Sequence, residues 1–118
     1  MQKEKNSERR KAPRVRIRVN VQLWEDYKLE KKAKGYIKDI CLEGMCVVTN
    51  IRFSLGADLI FNLNLPEDLK INIYGKIIWE REDEEVFLYG VNFTELDFRE
   101  KPKLYRFILV TILMNEKK

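Results

Sequence analysis

Residues 14–24 read Arg-Val-Arg-Ile-Arg-Val-Asn-Val-Gln-Leu-Trp, and their pattern predicts the first element of the fold. Apolar and polar side chains alternate without a break from Val15 to Leu23. Such alternation is typical of a β-strand that buries one face and exposes the other. We therefore expect a first strand with an apolar face on a core and a basic face towards solvent.

The segment before this strand, Glu8–Val15, concentrates positive charge around Pro13. Proline fixes its own φ angle, lacks a backbone N–H and pushes the preceding residue towards extended geometry. We therefore expect an extended ligand-binding arm over residues 9–14, preceded by a flexible tail over residues 1–8. Arginine side chains on such an arm suit phosphate groups and the edge of a guanine, because both accept two parallel N–H bonds.

Further short apolar segments follow the first strand, separated by turn signals. They are Gly35–Cys41, Met45–Thr49, Ala57–Leu65, Lys70–Glu80 and Val86–Phe93. Short strands at regular spacing indicate an antiparallel barrel or sandwich. In the fifth strand Trp79 has the same parity as Ile71, Ile73 and Ile77, and we expect it in the core with them rather than as a stacking surface.

The C-terminal segment, about residues 100–115, has Pro102 near its start and apolar residues at helical spacing, including Leu104 and Ile108. These features predict an α-helix, although the β-branched residues leave a strand as the alternative. Apolar side chains extend beyond one stripe, so we expect this element to meet a second surface besides the barrel. Either a partner protein or a second copy of the chain, in a homodimer, could supply that surface.

Composition places the chain among soluble single-domain proteins, with 118 residues of which 36% are charged. Residues 1–18 hold eight Lys/Arg and two Glu, whereas the remainder holds fifteen basic and seventeen acidic residues. Positive charge confined to one end favours an anionic partner bound locally over a surface for duplex nucleic acid. No apolar run reaches the roughly 18 residues of a membrane span, and we expect a cytoplasmic protein.

The residue types in the chain give little support for a catalytic site or a metal site. Histidine is absent, and Cys41 and Cys46 lack the spacing of a zinc or redox motif. Both thiols are expected to be reduced and buried. No nucleophile motif or recognisable carboxylate pair occurs. We therefore expect that the protein is not an enzyme and that it uses no cofactor or metal.

Two separate motifs favour a nucleotide ligand. The first is Arg10-x-x-x-Arg14, and the second is the run from Asp39 to Gly44, Asp-Ile-Cys-Leu-Glu-Gly. Asp39 can accept two N–H bonds from a guanine edge. Gly44 suits a tight turn, a positive φ angle or close approach to a ligand.

At these motifs the chain resembles the PilZ domain, a bacterial receptor module for the second messenger cyclic di-GMP. That family's signature is R-x-x-x-R before the first strand and [D/N]-x-S-x-x-G some twenty to thirty residues later. The segments Gly75–Trp79 and Tyr89–Phe93 resemble its last barrel strands. The resemblance implies a six-stranded antiparallel β-barrel of split-barrel type with a C-terminal α-helix over residues 9–118, and a binding domain without enzymatic activity.

The resemblance also implies a set of ligand contacts. The residues at the matching positions are Arg9, Arg10, Arg14, Asp39, Cys41 and Gly44. By position, the arginines would hold the phosphates and the guanine Hoogsteen edge, Asp39 would hold the guanine edge, and Gly44 would allow the turn. Trp79 would form a wall beside the base.

Cys41 departs from the family pattern, because it stands where the signature has serine. A thiol is a weaker donor and acceptor than a hydroxyl, and a lost neutral hydrogen bond typically costs about 0.5–1.5 kcal/mol. We expect cyclic di-GMP to bind, but more weakly than with serine. The first alternative is a degenerate PilZ domain that acts as a ligand-free interaction module. The second is a small barrel that binds single-stranded nucleic acid, which the slightly acidic body disfavours.

Overall fold

A computed structural model describes residues 14–25, 33–66, 68–96 and 99–116, without the side chains of residues 115 and 116. Six strands and one helix occur in these ranges: β1 (Val15–Glu25), β2 (Ala33–Ile40), β3 (Gly44–Thr49), β4 (Asp58–Leu65), β5 (Leu69–Asp83), β6 (Val86–Glu95) and α1 (Lys101–Glu116). The expected tail and most of the expected arm, including Arg9 and Arg10, lie outside the described residues.

The strands close into one barrel in the order β1-β2-β3-β6-β5-β4, and every neighbouring pair is antiparallel. The predicted six-stranded antiparallel barrel with a C-terminal helix is thus confirmed. The alternative of a strand near the C-terminus is wrong, because residues 101–116 are helical.

The barrel interior contains the alternating apolar residues of the strands. From β1 it receives Val15, Val19, Val21 and Leu23, with Ile17 partly buried against the same core. Burying these side chains away from water is the main force that favours the closed barrel. The predicted first strand is therefore present, with its apolar face inward.

Helix α1 packs on this core mainly through Leu104 and Ile108, which are buried one turn apart. Pro102 is the second residue of the helix, in the first turn, where a backbone N–H has no helical partner to lose. The large hydrophobic side chains that the helix leaves exposed are Tyr105, Leu109, Val110, Leu113 and Met114.

Two of the four irregularities in the register of the described strands decide which side chains reach the outer face near Trp79 and Asp39. Between Ile77 and Trp79 the pairing slips by one residue, so Ile77 pairs with Val91 but Trp79 pairs with Gly90. The extra residue, Ile78, reverses the alternation. The expectation of a core Trp79 is therefore wrong: its side chain is 43% exposed on the outside of the barrel.

The second slip lies between Ile37 and Asp39 in β2. Ile37 and Ile40 both belong to the barrel core, although an even alternation would point them to opposite faces. The two residues between them, Lys38 and Asp39, both line a groove on the outer face. The slip thereby places a cation and a carboxylate side by side.

Candidate functional site

A groove of about 430 Å³ crosses the outside of the barrel. We call it the outer groove, and its lining residues are Arg14, Arg16, Lys38, Asp39, Cys46, Trp79, Arg81 and Leu88. One row of paired residues runs along it through five strands, in the order Arg16, Asp39, Cys46, Gly90, Trp79. This strand register therefore brings residues that are far apart in the sequence next to one another.

The floor of the outer groove is apolar. Cys46 and Leu88 are buried together with Val48 in a small cluster separate from the barrel core, and Tyr36 packs against it. The guanidinium of Arg18 lies 3.8 Å from the centre of the Tyr36 ring, a cation–π contact. Cys46 is buried as expected, but on the outer side of the sheet.

The walls of the outer groove carry more positive than negative charge. Arg14, Arg16 and Lys38 stand on the β1–β2 side, and Arg81 stands on the β5 side. Asp39 is the one carboxylate among the lining residues, and it accepts a hydrogen bond from Arg14 Nη1. Both partners of this ion pair are partly exposed, so they are accessible to a ligand.

These surroundings shift the pKa of the Cys46 thiol. Burial raises its pKa, the nearby Asp39 carboxylate raises it further, and Lys38, Arg14 and Arg81 act in the opposite direction. The thiol is therefore protonated at neutral pH. In that form it is a neutral, weakly polar part of the floor.

Trp79 forms an aromatic wall of the groove because Gly90 lies beneath it. A Cβ atom at position 90 would overlap Nε1, Cε2 and Cδ1 of the indole. The glycine therefore lets the ring lie directly on the backbone of β6. A glycine in the middle of an apolar strand was the one sequence signal that could have indicated this contact.

A smaller cavity of about 110 Å³ adjoins the outer groove and shares Arg14 and Trp79 with it. Cys41 and Gly44 also line this cavity. Cys41 is 3% exposed, and its Sγ accepts the backbone N–H of Glu43 at 3.4 Å. The thiol thus already supports the turn between β2 and β3 as a weak acceptor.

The structure requires glycine at position 44 because two strands pack closely there, and not because of a positive φ angle. Gly44 is not among the described residues with positive φ, so the positive-φ explanation is wrong. A Cβ atom at Gly44 would collide with the carbonyl oxygen of Val91. The glycine allows β3 to approach β6 closely, where the N–H of Phe93 donates to the carbonyl of Glu43 at 2.9 Å.

The structure brings four of the six predicted site residues together: Arg14, Asp39, Cys41 and Gly44 line the two adjoining cavities. The positions of Arg9 and Arg10 are not described. Sequence reasoning did not select Arg16, Lys38 or Arg81, although each of them also lines the outer groove.

A larger cleft of about 830 Å³ lies elsewhere, where β5 and β6 meet the start of α1. Its charged lining residues are Glu95, Arg99, Glu100 and Lys103, two acids and two bases. This cleft contains none of the motif residues. The outer groove differs from it by its surplus of cations and its exposed indole.

Among the described residues, no group of three or more Cys, Asp and Glu side chains could hold a metal ion. None of the described helices combines the length and the apolar character needed to cross a membrane.

The fold is similar to several solved structures. YcgR from Escherichia coli in complex with c-di-GMP matches with a TM-score of 0.78 and 14% identity, over 92% of this chain and 48% of that one. The MrkH–c-di-GMP complex from K. pneumonia matches with a TM-score of 0.77 and 22% identity, over 92% and 54%. The Bacillus subtilis inhibitor of motility, MotI/DgrA, matches with a TM-score of 0.76 and 17% identity, over 92% and 53%.

These identities establish a shared fold, and the chain spans about half the length of each of these three proteins. No curated protein sequence matches the chain. The family model for the PilZ domain matches residues 8–109, which include both motifs and all six strands. The chain therefore belongs to the PilZ domain family.

Proposed function

We propose that the protein is a cyclic di-GMP receptor whose ligand binds in the outer groove. The observation that carries this proposal is the ion pair between Arg14 and Asp39, which joins the two sequence motifs at the rim of a cation-rich groove. The two complexes with c-di-GMP among the similar structures support the choice of ligand.

The groove offers a complementary group for each part of a guanine nucleotide. A carboxylate such as Asp39 can accept the two N–H donors of a guanine Watson–Crick edge. An arginine such as Arg14 can donate two parallel bonds to the Hoogsteen edge or to a phosphate. The exposed indole of Trp79 provides a stacking surface, and the apolar floor accommodates the face of a base.

The proposal extends to the arm over residues 9–14, where Arg9 and Arg10 would close over the bound ligand. Ordering such a segment costs conformational entropy, so ligand binding and arm conformation become coupled. We further propose that this coupling changes the surface offered to a protein partner. The exposed apolar residues in the second half of α1 support a partner contact there.

In this proposal the protein is a cytoplasmic adaptor without catalytic activity. Cys41 stands in the place of the motif serine and contributes a weak hydrogen bond. The alternative of a single-stranded nucleic-acid binder is disfavoured by the charge of the body, because the chain after residue 18 holds fifteen basic and seventeen acidic residues.

Isothermal titration calorimetry with cyclic di-GMP tests the proposal, with GTP and a single-stranded oligonucleotide as controls. We expect saturable binding of cyclic di-GMP and much weaker binding of both controls. The Arg14→Ala variant should lose a charge-assisted contact worth about 1.5–3 kcal/mol, roughly a tenfold to hundredfold loss of affinity.

Lys70→Ala is the matched control, because Lys70 is an exposed cation on β5 that lines neither cavity. It should leave the affinity unchanged. Absence of heat with cyclic di-GMP at tens of micromolar protein would refute the proposed ligand. Equal affinities of Arg14→Ala and Lys70→Ala would instead refute the proposed site.

A further inference from the structure

Three cations of the outer groove, Arg16, Lys38 and Arg81, belong to neither sequence motif. All three are exposed, and no carboxylate in the described part of the chain forms an ion pair with them. Together with Arg14 they line a groove whose lining includes a single carboxylate, that of Asp39. Such a concentration of like charge is unfavourable in the free protein and is relieved when an anion binds.

These cations stand on two opposite walls. Arg81 follows Trp79 by two residues on β5 and pairs with Leu88 of β6, which pairs in turn with Val48 of β3. Arg16 and Lys38 stand on β1 and β2, beyond β3. From β5 to β2 there are three strand steps, or about 14 Å at ~4.8 Å per step. The apolar floor lies between the two positive walls.

We propose that Arg81 binds one phosphodiester of cyclic di-GMP, while the wall formed by Arg14, Arg16 and Lys38 binds the other. This inference rests on the proposed function. A cyclic dinucleotide carries its two phosphodiesters on opposite sides of one ring, each with a single negative charge. Its two separated charges therefore match two cationic walls across an apolar floor. The phosphates of GTP are linked in one chain, so they match only one wall.

Arg81 is well placed for this contact. Its position two residues beyond Trp79 puts both side chains on the same side of β5, since the strand is regular after the slip at Ile78. A base that stacks on the indole would thus bring its attached sugar and phosphate along the strand on which the guanidinium lies. Arginine also offers the forked donors that phosphate oxygens accept.

The test compares the affinities of wild type, Arg81→Gln and Lys70→Gln for cyclic di-GMP by calorimetry. Both substituted side chains are exposed, so neither variant should change the fold. We expect Arg81→Gln to weaken binding about tenfold or more and Lys70→Gln to have no effect. The loss should shrink as salt concentration rises, because screening weakens an exposed charge–phosphate contact.

A double variant separates the two walls. If Arg14 and Arg81 bind different phosphates, the losses from Arg14→Ala and Arg81→Gln should add in free energy. Strong non-additivity would place both side chains on the same phosphate and overturn the proposal. A change in stoichiometry without a change in affinity would assign Arg81 to a second ligand molecule and would also overturn it.

The outcomes separate this inference from the proposed function. Wild-type protein that fails to bind cyclic di-GMP would refute both. Wild-type binding with equal affinities for Arg81→Gln and Lys70→Gln would refute only the role of Arg81.

Discussion

At the scale of single residues, the position of Trp79 depends on two neighbours that carry no charge. Ile78 supplies the extra residue that turns Trp79 outward, and Gly90 provides the space in which the indole lies. Stacking of a base on an aromatic side chain is worth about 1–3 kcal/mol. In the proposed site, residues that only position the ring should therefore influence affinity.

The substitution Gly90→Ala tests this positioning. Its new methyl group would overlap the indole, so this partly exposed ring must move away from β6. We expect affinity for cyclic di-GMP to fall by up to about tenfold, with little change in the thermal unfolding midpoint. The variant Trp79→Ala should show a similar loss of affinity. Unchanged affinity in both variants would show that the ligand does not stack on Trp79.

The substitution Cys41→Ser restores the serine of the family signature. A hydroxyl donates and accepts more strongly than the thiol that now accepts the N–H of Glu43. We expect calorimetry to show tighter binding of cyclic di-GMP by up to about tenfold, equivalent to 0.5–1.5 kcal/mol. The matched control is Cys46→Ser, which adds a hydroxyl to the apolar floor and should not tighten binding. Unchanged affinity of Cys41→Ser would remove Cys41 from the ligand site, and weaker binding would refute the expected gain from the hydroxyl.

Single residues also mark the limit of what sequence alone could predict. Arg14 and Asp39 were selected because their chemistry suits a guanine nucleotide and their spacing matches a motif, and the structure joins them in an ion pair. The exposure of Trp79 was not predictable from the sequence, because the alternation of inward and outward side chains reverses wherever a strand contains an extra residue. Arg81 was missed for the same reason: its face follows from the slip that precedes it.

At the scale of elements, Tyr89 of β6 fastens the segment between β3 and β4 to the barrel. Its buried hydroxyl accepts the N–H of Phe53 at 2.7 Å and donates to the carbonyl of Ile51 at 3.1 Å. Phe53 also packs edge-on against the Tyr89 ring, with centroids 6.1 Å apart. Burial raises the pKa of Tyr89, so the hydroxyl keeps its proton at neutral pH.

Tyr89→Phe should therefore destabilise the fold without affecting ligand binding. Loss of the hydroxyl leaves the N–H of Phe53 without its acceptor, a cost of about 1–3 kcal/mol in the free energy of unfolding. Urea unfolding measures this value, and Tyr74→Phe is the control because Tyr74 is exposed on β5. If both variants unfold at the same urea concentration, the hydroxyl of Tyr89 does not stabilise the fold.

The strands and the helix were the part of the molecule that the sequence predicted best. Alternation and turn residues located all six strands, and proline with helical spacing located α1, because local patterns reflect which face is buried. The β5 strand runs further than expected, to Asp83, since the acidic residues after Glu80 still pair with β6. Local sequence could not show this pairing, because it depends on the partner strand.

At the scale of the whole molecule, the site exists only because the barrel closes with one particular register. The row from Arg16 to Trp79 crosses five strands whose order differs from their order in the sequence. The sequence indicated an anionic ligand near the first strand, but the opposite wall with Arg81 became visible only in three dimensions. We therefore propose that cyclic di-GMP binds in the outer groove, beside Trp79.

The fluorescence of Trp79 tests this claim most directly. The chain has two tryptophans, so Trp24→Phe leaves Trp79 as the single reporter, 43% exposed in the groove. Titration with cyclic di-GMP should change its emission saturably, with the dissociation constant found by calorimetry, and GTP at equal concentration should have little effect. Calorimetric binding of cyclic di-GMP without any change in Trp79 emission would instead place the ligand outside the outer groove.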